Sequence, residues 1–235
     1  MKIIAEAMAL VDSARAEHIP IRLLGSVAVL YYAGQSEPRR PYHVKDIDLI
    51  TGSEWRRQAQ EFLCNRGWRI CTELLMMSEM RVTFTRVETE YTLDLYYDEI
   101  DGNHTISLRD RLDISYPAIS LTDLLLTKLQ RSEMRPSDIW DVCALLRTAG
   151  DDSIDRARLE VVLGKDWGLC TTFTDNLNRL SSSFPMCASS VLALKEAALH
   201  CHKTWRWRTR ALLGRRVRWW KETYEAAIST PMEGL

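Results

Sequence analysis

The chain has 235 residues and a net charge of −1, with 46% hydrophobic and 27% charged residues. This length predicts one large domain or two small ones, and the composition is that of an ordinary globular protein rather than a disordered or fibrous one. A net charge near zero excludes attraction of the whole molecule to polyanions, so any affinity for them has to come from local clusters of charge.

The cysteines and the N-terminal residues bear on the cellular compartment. The six cysteines form no C-x-x-C pair, and they lie at positions 64, 71, 143, 170, 187 and 201. We expect reduced thiols in a cytoplasmic protein. The first residues place apolar side chains at helical spacing with Glu6 among them, which predicts an amphipathic helix rather than a signal peptide. No apolar run approaches the roughly 20 residues of a membrane span, so no membrane association is expected.

The first half of the chain alternates between strand-like and helical patterns. "IRLL" predicts a short buried strand that ends at Gly25-Ser26, and "VAVLYYAG" predicts a helix directly after it. A polar loop leads to the strand "DIDLI", followed by a helix that starts at Ser53. Three strand-like runs come next, and "DGNH" predicts a hairpin turn after the last of them. These runs are "WRICTELL", "MRVTFTRVE" and "YTLDLYYDEI".

The second half reads as helical throughout. Thr122 is the expected N-cap of its first helix, and Ser137 that of the second, with Pro136 beside it. The predicted fold class is therefore α+β, with a mixed β-sheet flanked by helices and a helical C-terminal half. We expect a domain boundary between residues 1–118 and residues 119–235, with the second part completing a cleft on the first.

The Gly25-Ser26 corner is the first candidate binding feature. Glycine lets a ligand approach the backbone closely, and the start of a helix offers free N–H groups and the positive end of the helix dipole. Such a corner suits a phosphate group. An ordinary turn with a helix cap is the alternative, and the pair alone does not exclude it.

Asp46 and Asp48 form a D-x-D pair within a predicted strand. Residues two apart in a strand point to the same face, so both carboxylates lie together while Ile47 and Leu49 face the core. Two carboxylates at this spacing suit Mg²⁺, which completes its shell with phosphate oxygens and water. Asp94 alternates with Leu93 and Leu95 in a later strand and joins the cluster if the two strands are neighbours. A solvated face of an edge strand is the alternative.

The order of these features resembles the nucleotidyltransferase superfamily, which includes polymerase beta, the antibiotic nucleotidyltransferases and the toxins of AbiE-type toxin–antitoxin systems. The resemblance implies the minimal fold of that superfamily. It implies that Gly25 and Ser26 hold a nucleoside triphosphate (NTP), and that Asp46, Asp48 and Asp94 bind Mg²⁺ or Mn²⁺. It also implies that Asp94 activates the acceptor.

The segment "AISLTDLLLTKLQRSEMRPSDIWDVCALL" resembles the signature of the AbiE-type toxins most closely. The resemblance implies that Lys128 contacts the triphosphate and that Asp138, which shares a helix face with Asp141, orients the triphosphate or the metal. Ser137 stands where that family often has a basic residue. For Lys128 a solvated helix position is the alternative, and for Asp138 a favourable charge in the first helical turn.

The segment "HKTWRWRTRALLGRRVRWWKE" carries eight basic residues from Lys203 to Lys221, no acidic residue between them, and four tryptophans. Trp205, Leu212 and Trp219 recur every seven residues, which predicts an apolar stripe that packs on the body and leaves the basic residues exposed. Contact with RNA, through phosphates and base stacking, is the functional interpretation.

Together these patterns predict a metal-dependent nucleotidyltransferase that moves a nucleoside monophosphate from an NTP to an acceptor. The AbiE-type resemblance and the basic segment favour RNA, and tRNA in particular, as the acceptor of a toxin with a cognate antitoxin. An antibiotic nucleotidyltransferase is the alternative enzyme, and a catalytically inactive binding protein of the same fold is the alternative from another class. Neither the base of the NTP nor the oligomeric state follows from the sequence.

Overall fold

A computed structural model of the chain describes residues 2–34, 41–72, 80–148, 153–184 and 188–223. The first half alternates helices and strands, as expected. Its elements in chain order are α1 (Lys2–Ala16), β1 (Arg22–Leu24), α2 (Gly25–Ala33), β2 (Asp46–Thr51), α3 (Arg56–Cys64), β3 (Arg69–Ile70), β4 (Arg81–Thr85), β5 (Thr92–Tyr97), β6 (Glu99–Asp101) and β7 (Thr105–Ser107).

Strands β1 to β5 form one mixed sheet in the order β1-β2-β5-β4-β3. Strands β2 and β5 are parallel, and the remaining neighbours in the sheet are antiparallel. Strands β6 and β7 form a separate hairpin whose turn is the predicted "DGNH". The run "WRICTELL" contributes only Arg69–Ile70 to the sheet, and its remainder from residue 73 lies outside the described residues.

Alternation along β2 and β5 separates the core from the candidate site. Ile47, Leu49, Leu93 and Leu95 are fully buried. The aspartates that alternate with them, Asp46, Asp48 and Asp94, have their side chains on the other face of the sheet. Because apolar burial is the main source of stability, the leucine and isoleucine positions fix which face of the sheet the aspartates occupy.

Helix α2 connects the two halves of the molecule. It contains no charged residue, and it packs against β1, β2, α1 and the helices α4 (Leu121–Leu129) and α5 (Pro136–Thr148). The remaining helices are α6 (Arg156–Lys165), α7 (Trp167–Ser183), α8 (Ala188–His200) and α9 (Trp205–Leu213). Helix α7 packs on α4, α6, α8 and α9, so α4 is one link between the C-terminal helices and the rest of the molecule.

Two predicted helix caps are wrong. The N-cap of α4 is Ser120, whose hydroxyl accepts a hydrogen bond from the Asp123 backbone N–H at 3.1 Å. The Thr122 hydroxyl instead accepts the N–H of Asp155 at 2.8 Å, so it serves a long-range contact. Ser137 lies inside the first turn of α5, because the helix already starts at Pro136, which has no N–H to satisfy.

The predicted apolar stripe of the C-terminal segment is also wrong. Trp205 is 71% exposed and Leu212 is 84% exposed. A period of seven forms a stripe only along an unbroken helix, and α9 ends at Leu213, before Gly214 with its positive φ of 55°. Trp219 therefore lies beyond the helix, where it packs edge-on against Trp167.

Two further expectations concern thiols and membranes. The cysteines of the described ranges, Cys64, Cys71, Cys143, Cys170 and Cys201, are free thiols, as expected from their spacing. None of the helices in these ranges has the length and apolar character that a membrane crossing requires.

Candidate active site

The three aspartates lie together on one face of the sheet. In the parallel pair of strands, Asp48 is directly opposite Asp94, and Asp46 precedes Asp48 by two residues on the same face. On the other side of β2, Asp48 is opposite Leu24, the last residue of β1. The register therefore brings the Gly25-Ser26 corner beside the carboxylate cluster.

Gly25 is required by the close approach of Asp48. Its φ is +61°, a backbone conformation that residues with a Cβ rarely adopt. A Cβ built on Gly25 would lie 1.8 Å from Asp48 Oδ2 and 3.0 Å from Asp48 Cβ. The glycine thus allows the strand end to turn directly into α2 and makes room for the Asp48 carboxylate over its Cα.

Ser26 and Lys128 meet at Asp141. The Ser26 hydroxyl donates to Asp141 Oδ2 at 3.4 Å, and the Lys128 ammonium donates to the same oxygen at 2.7 Å. Asp141 is fully buried and Lys128 is 8% exposed. Because an unpaired buried charge is costly, each group requires the other, and the pair fixes the ammonium of Lys128 beside the start of α2.

Asp138 also faces Lys128, at a longer distance. Its Oδ1 lies 3.6 Å from Lys128 Nζ, and its Oδ2 lies 3.6 Å from Arg131 Nε. Oδ2 also accepts the backbone N–H of Arg135 at 3.2 Å, at the start of α5. Asp138 therefore both balances the charge of Lys128 and satisfies a backbone donor at the helix start, which is the structural role considered for it.

Asp94 is held by side chains from the neighbouring strand β4. Its Oδ1 accepts the Thr83 hydroxyl at 2.5 Å, and its Oδ2 lies 3.3 Å from Arg81 Nη1. Thr83 and Arg81 are opposite Asp94 and Tyr96 in the antiparallel register, so all four share the face of the cluster. Asp94 is thus oriented toward that face and carries a cationic partner.

The electrostatics of the cluster favour an added cation. Burial, together with the carboxylates of Asp46 and Asp94, raises the pKa of Asp48 to about 7, against the opposing charges of Lys128 and Arg81. Burial and the charges of Asp48 and Asp94 likewise raise the pKa of Tyr96. Crowded carboxylates that resist ionisation are what a divalent ion relieves.

The side chains fit a metal held by two carboxylates better than one held by three. In the part of the chain that the structure describes, no group of three His, Cys, Asp or Glu side chains is arranged to hold an ion. Asp94 is engaged by Arg81 and Thr83, which leaves Asp46 and Asp48 as the first candidates. Mg²⁺ commonly binds one or two carboxylates and completes its shell with substrate phosphates and water, so this pair is sufficient.

A cleft of about 300 Å³ meets the site at Arg81, the partner of Asp94, and its lining includes none of the three aspartates. Arg81 and Tyr96 line it from the sheet, and Thr127, Gln130 and Arg131 line it from α4 and its end. A third wall comes from the hairpin turn and from residues 221–223 of the C-terminal segment. The cleft is large enough for a nucleoside-sized group.

Sequence reasoning did not select Asp141, Arg81, Thr83 or Tyr96 as site residues. For Asp141 a signal was present, because it is three residues from Asp138 on the same helix face. Thr83 alternates with the buried Val82 and Phe84, so its face was also predictable. Which strand lies next to β5 was not predictable, because strand neighbours in a sheet are set by long-range pairing.

No protein-family model and no curated protein matches the chain. Among solved structures, the chain is similar to the lincosamide antibiotic adenylyltransferase LnuA with lincomycin bound, at 16% identity and a TM-score of 0.44, over 59% of this chain and 92% of that one. It is similar to ANT(2")-Ia in complex with adenylyl-2"-tobramycin, at 11% identity and a TM-score of 0.47, over 67% of this chain and 95% of that one. It is also similar to an antigenic nucleotidyltransferase-like protein from Paracoccidioides brasiliensis, at 14% identity and a TM-score of 0.43, over 86% of this chain and 94% of that one. At these values the function has to be argued from the site itself.

Proposed function

We propose that the protein is a metal-dependent nucleotidyltransferase of the superfamily that its sequence resembles. It transfers a nucleoside monophosphate from an NTP to an acceptor hydroxyl and releases pyrophosphate. The observation that carries this proposal is the convergence of Asp46, Asp48 and Asp94 on one sheet face, beside the Gly25-Ser26 corner.

The metal site of the proposal uses Asp46 and Asp48, because the third predicted ligand, Asp94, is engaged by Thr83 and Arg81. Mg²⁺ or Mn²⁺ at this place supplies positive charge that stabilises the charge developing on the departing pyrophosphate. Asp48 has to be ionised to bind the metal, and its raised pKa means that metal binding displaces a proton from this residue near neutral pH.

The triphosphate site of the proposal lies at the start of α2. The N–H groups there are donors for phosphate oxygens, the Ser26 hydroxyl would donate to them in place of Asp141 Oδ2, and Lys128 adds a positive charge. Asp141 contacts both Ser26 and Lys128, so it positions the two groups relative to each other. Asp138 is the second carboxylate that pairs with the Lys128 ammonium.

In the transfer step the acceptor oxygen attacks the α-phosphorus of the NTP. A new P–O bond forms as the bond between the α-phosphorus and the bridging oxygen breaks, and pyrophosphate leaves with that electron pair. In this proposal Asp94 accepts the proton of the acceptor hydroxyl. Thr83 and Arg81, on the neighbouring strand β4, orient Asp94 by donating hydrogen bonds to its carboxylate.

RNA, with tRNA as the first candidate, is the acceptor that we propose, in the setting of an AbiE-type toxin. The exposed residues of the C-terminal basic segment support this choice. They are Trp205, Arg206, Arg208, Arg215, Arg216 and Arg218. An antibiotic nucleotidyltransferase remains the second candidate, because the cleft of about 300 Å³ also suits a small hydroxylated molecule.

The test is incubation of the protein with each labelled NTP, Mg²⁺ or Mn²⁺, and total RNA. We expect label in RNA with one of the NTPs and none in the presence of EDTA. Asp46→Asn serves as the inactive control, and parallel reactions contain aminoglycosides or lincosamides instead of RNA. Label in a drug would replace the proposed acceptor, and an absence of both NTP binding and transfer would refute the enzyme.

A further inference from the structure

The register of β2 and β5 by itself would allow two metal ions in the carboxylate cluster. Asp48 and Asp94 are directly opposite each other on parallel strands, which lie about 4.8 Å apart. Enzymes that use two metal ions on one phosphoryl group hold them roughly 3.5–4 Å apart. One ion between Asp46 and Asp48 and a second between Asp48 and Asp94 would be compatible with that spacing.

The carboxylate of Asp94 is already engaged on both of its oxygens. Arg81 Nη1 donates to Asp94 Oδ2 at 3.3 Å, and the Thr83 hydroxyl donates to Asp94 Oδ1 at 2.5 Å. A metal ion on Oδ2 would lie about 2.1 Å from that oxygen, and so no more than about 5.4 Å from Arg81 Nη1. Because like charges at this distance repel in a partly buried site, the guanidinium opposes an ion on Asp94.

The guanidinium of Arg81 is held in this position by a second contact. Arg81 Nη1 also donates to the Tyr96 hydroxyl at 3.4 Å, and its guanidinium carbon lies 5.8 Å from the centre of the Tyr96 ring. Tyr96 is opposite Arg81 in the antiparallel register and shares the sheet face of Asp94. Since arginine keeps its charge at any pH at which proteins fold, the positive charge beside Asp94 is permanent.

Lys128, the other cation near the cluster, does not take this place. Its ammonium lies 2.7 Å from Asp141 and 3.6 Å from Asp138, and both carboxylates belong to α5. The charge of Lys128 is thus balanced on the helical side of the site, whereas Arg81 is paired with a member of the cluster itself. The two cations therefore serve opposite sides of the carboxylates.

The pairing with Arg81 also bears on the chemistry of Asp94. A carboxylate oxygen that ligates a metal ion has given a lone pair to it, whereas one that accepts a single hydrogen bond keeps a lone pair for a proton. An Asp94 that binds no metal is therefore compatible with the role of proton acceptor. The positive charge that a second ion would bring to this side is supplied by the guanidinium.

We infer that Arg81 takes the place of a second metal ion, so that the site binds one divalent cation, held by Asp46 and Asp48, and Asp94 is not a metal ligand. The inference rests on the proposed function for the presence of the first ion. The number of ions is measured by binding, so its test needs no transfer reaction.

The first experiment counts bound Mn²⁺ by equilibrium dialysis against the uncleavable α,β-methylene analogues of ATP, GTP, CTP and UTP, each in turn. We expect one bound ion per chain in the wild type and two in Arg81→Met, which removes the charge. Arg81→Lys keeps the charge and should bind one ion. The matched control is Arg69→Met, at an exposed arginine on the edge strand β3 of the same sheet, which should also bind one.

The second experiment asks where the additional ion lies, by electron paramagnetic resonance of the same samples. Two Mn²⁺ ions roughly 4 Å apart couple magnetically and broaden the spectrum, whereas a single ion gives the spectrum of an isolated spin. We expect coupled ions in Arg81→Met and an isolated ion in the wild type and in Arg81→Lys. Arg81→Met/Asp94→Asn should return to one isolated ion, because the second ion has lost its carboxylate.

The outcomes separate the inference from the proposed function. Two ions in the wild type, or one ion in both the wild type and Arg81→Met, overturn the inference and leave the proposed function standing. No bound ion in the wild type with any analogue overturns the proposed function, and the inference with it. Circular dichroism establishes that each variant is folded, and Arg81→Gln, which keeps a donor for Asp94 but no charge, carries the same expectation if Arg81→Met is unfolded.

Discussion

At the scale of single residues, the Gly-Ser pair has two separate roles. Gly25 makes room for the Asp48 carboxylate, and Ser26 reaches across to Asp141 on α5. The sequence predicted a corner suited to a phosphate, which stays a prediction, and the structure shows both residues beside the carboxylates. The contact with Asp141 was not predictable, because it joins residues that are far apart in the chain.

Gly25→Ala should abolish transfer with only a moderate loss of stability. The positive φ costs about 1–2 kcal/mol with any Cβ, and the new Cβ displaces the Asp48 carboxylate from its place. Gly34→Ala is the matched control, since Gly34 also has a φ of +61° but no atom of the described residues lies within 4 Å of the position that its Cβ would take. We expect both variants to melt at lower temperature and only the first to lose activity. Equal activities would show that the close approach at Gly25 is unimportant.

Asp48→Asn should abolish transfer and stabilise the metal-free protein at high pH. The pKa of Asp48 is raised to about 7, so folding favours the protonated form of this carboxyl. Its stabilising effect is complete below the unfolded pKa near 4 and is lost as the pH rises toward 7. The variant should therefore melt at a higher temperature than the wild type at pH 8 in EDTA, and at the same temperature near pH 4. Glu133→Gln, at an exposed site, should show no such difference, and a lower melting temperature of Asp48→Asn at pH 8 would contradict the argument.

At the scale of elements, strand alternation predicted correctly which face each side chain occupies, whereas the predicted helix caps and the seven-residue stripe were wrong. Alternation correctly placed Asp46, Asp48 and Asp94 away from the buried leucines, because a strand has a strict period of two. The cap positions at Thr122 and Ser137 were wrong, since several hydroxyl residues compete at each helix start and tertiary contacts decide among them. The seven-residue stripe was wrong because Gly214 interrupts the helix that the stripe requires.

Helices α4 and α5 are joined across their interface by the buried pair of Lys128 and Asp141. Lys128→Met should destabilise the protein by about 3–5 kcal/mol, because it leaves Asp141 buried without its cation. Adding Asp141→Asn should restore part of that loss. Urea unfolding of the two single variants and the double variant gives the coupling energy.

The control for this cycle is Lys195→Met. The ammonium of Lys195 donates to the neutral hydroxyl of Ser181 at 2.9 Å, so its loss leaves no charge unpaired. We expect this variant to lose about 1 kcal/mol or less. Additive effects of Lys128→Met and Asp141→Asn would mean that the two side chains do not depend on each other for stability.

At the scale of the whole molecule, the candidate site is assembled from parts that are distant in the chain. Strand β5 lies between β2 and β4, and α2 contacts both the sheet and α5. The sequence predicted an α/β part and a helical part correctly, but the order of strands and the attachment of the C-terminal segment depend on contacts that no local pattern reports. The boundary at residue 118 remains a prediction.

His104 connects three of these distant parts and should make stability depend on pH. Its ring contacts Thr172 on α7 at 2.9 Å, beside the bond from Trp219, and its backbone N–H donates to Gln130 at 3.0 Å. Burial lowers the pKa of His104, and Lys221 lowers it further, while Asp166 raises it. A lowered pKa means that folding favours the neutral ring, so stability is complete above the unfolded pKa of about 6.5 and falls as the pH drops below it.

Thermal unfolding between pH 5 and pH 8 measures this effect. We expect the free energy of unfolding of the wild type to fall by at most about 1.4 kcal/mol per pH unit below pH 6.5 from this residue, and His104→Gln to remove that part of the slope. His43→Gln, at an exposed position, is the control. An unchanged slope in His104→Gln would show that the ring titrates normally.

The attachment of residues 219–223 to the hairpin turn also bears on the timing of synthesis. A ribosome releases Asp46, Asp48, Asp94, Lys128 and Asp141 before it releases Trp219 and Lys221. The nascent chain can therefore pair its strands and build the carboxylate cluster while the third wall of the cleft is still missing. Because synthesis runs from the N-terminus, this wall is the last part of the cleft to arrive, so a nascent chain that folds on the ribosome has its carboxylate cluster before its cleft is complete.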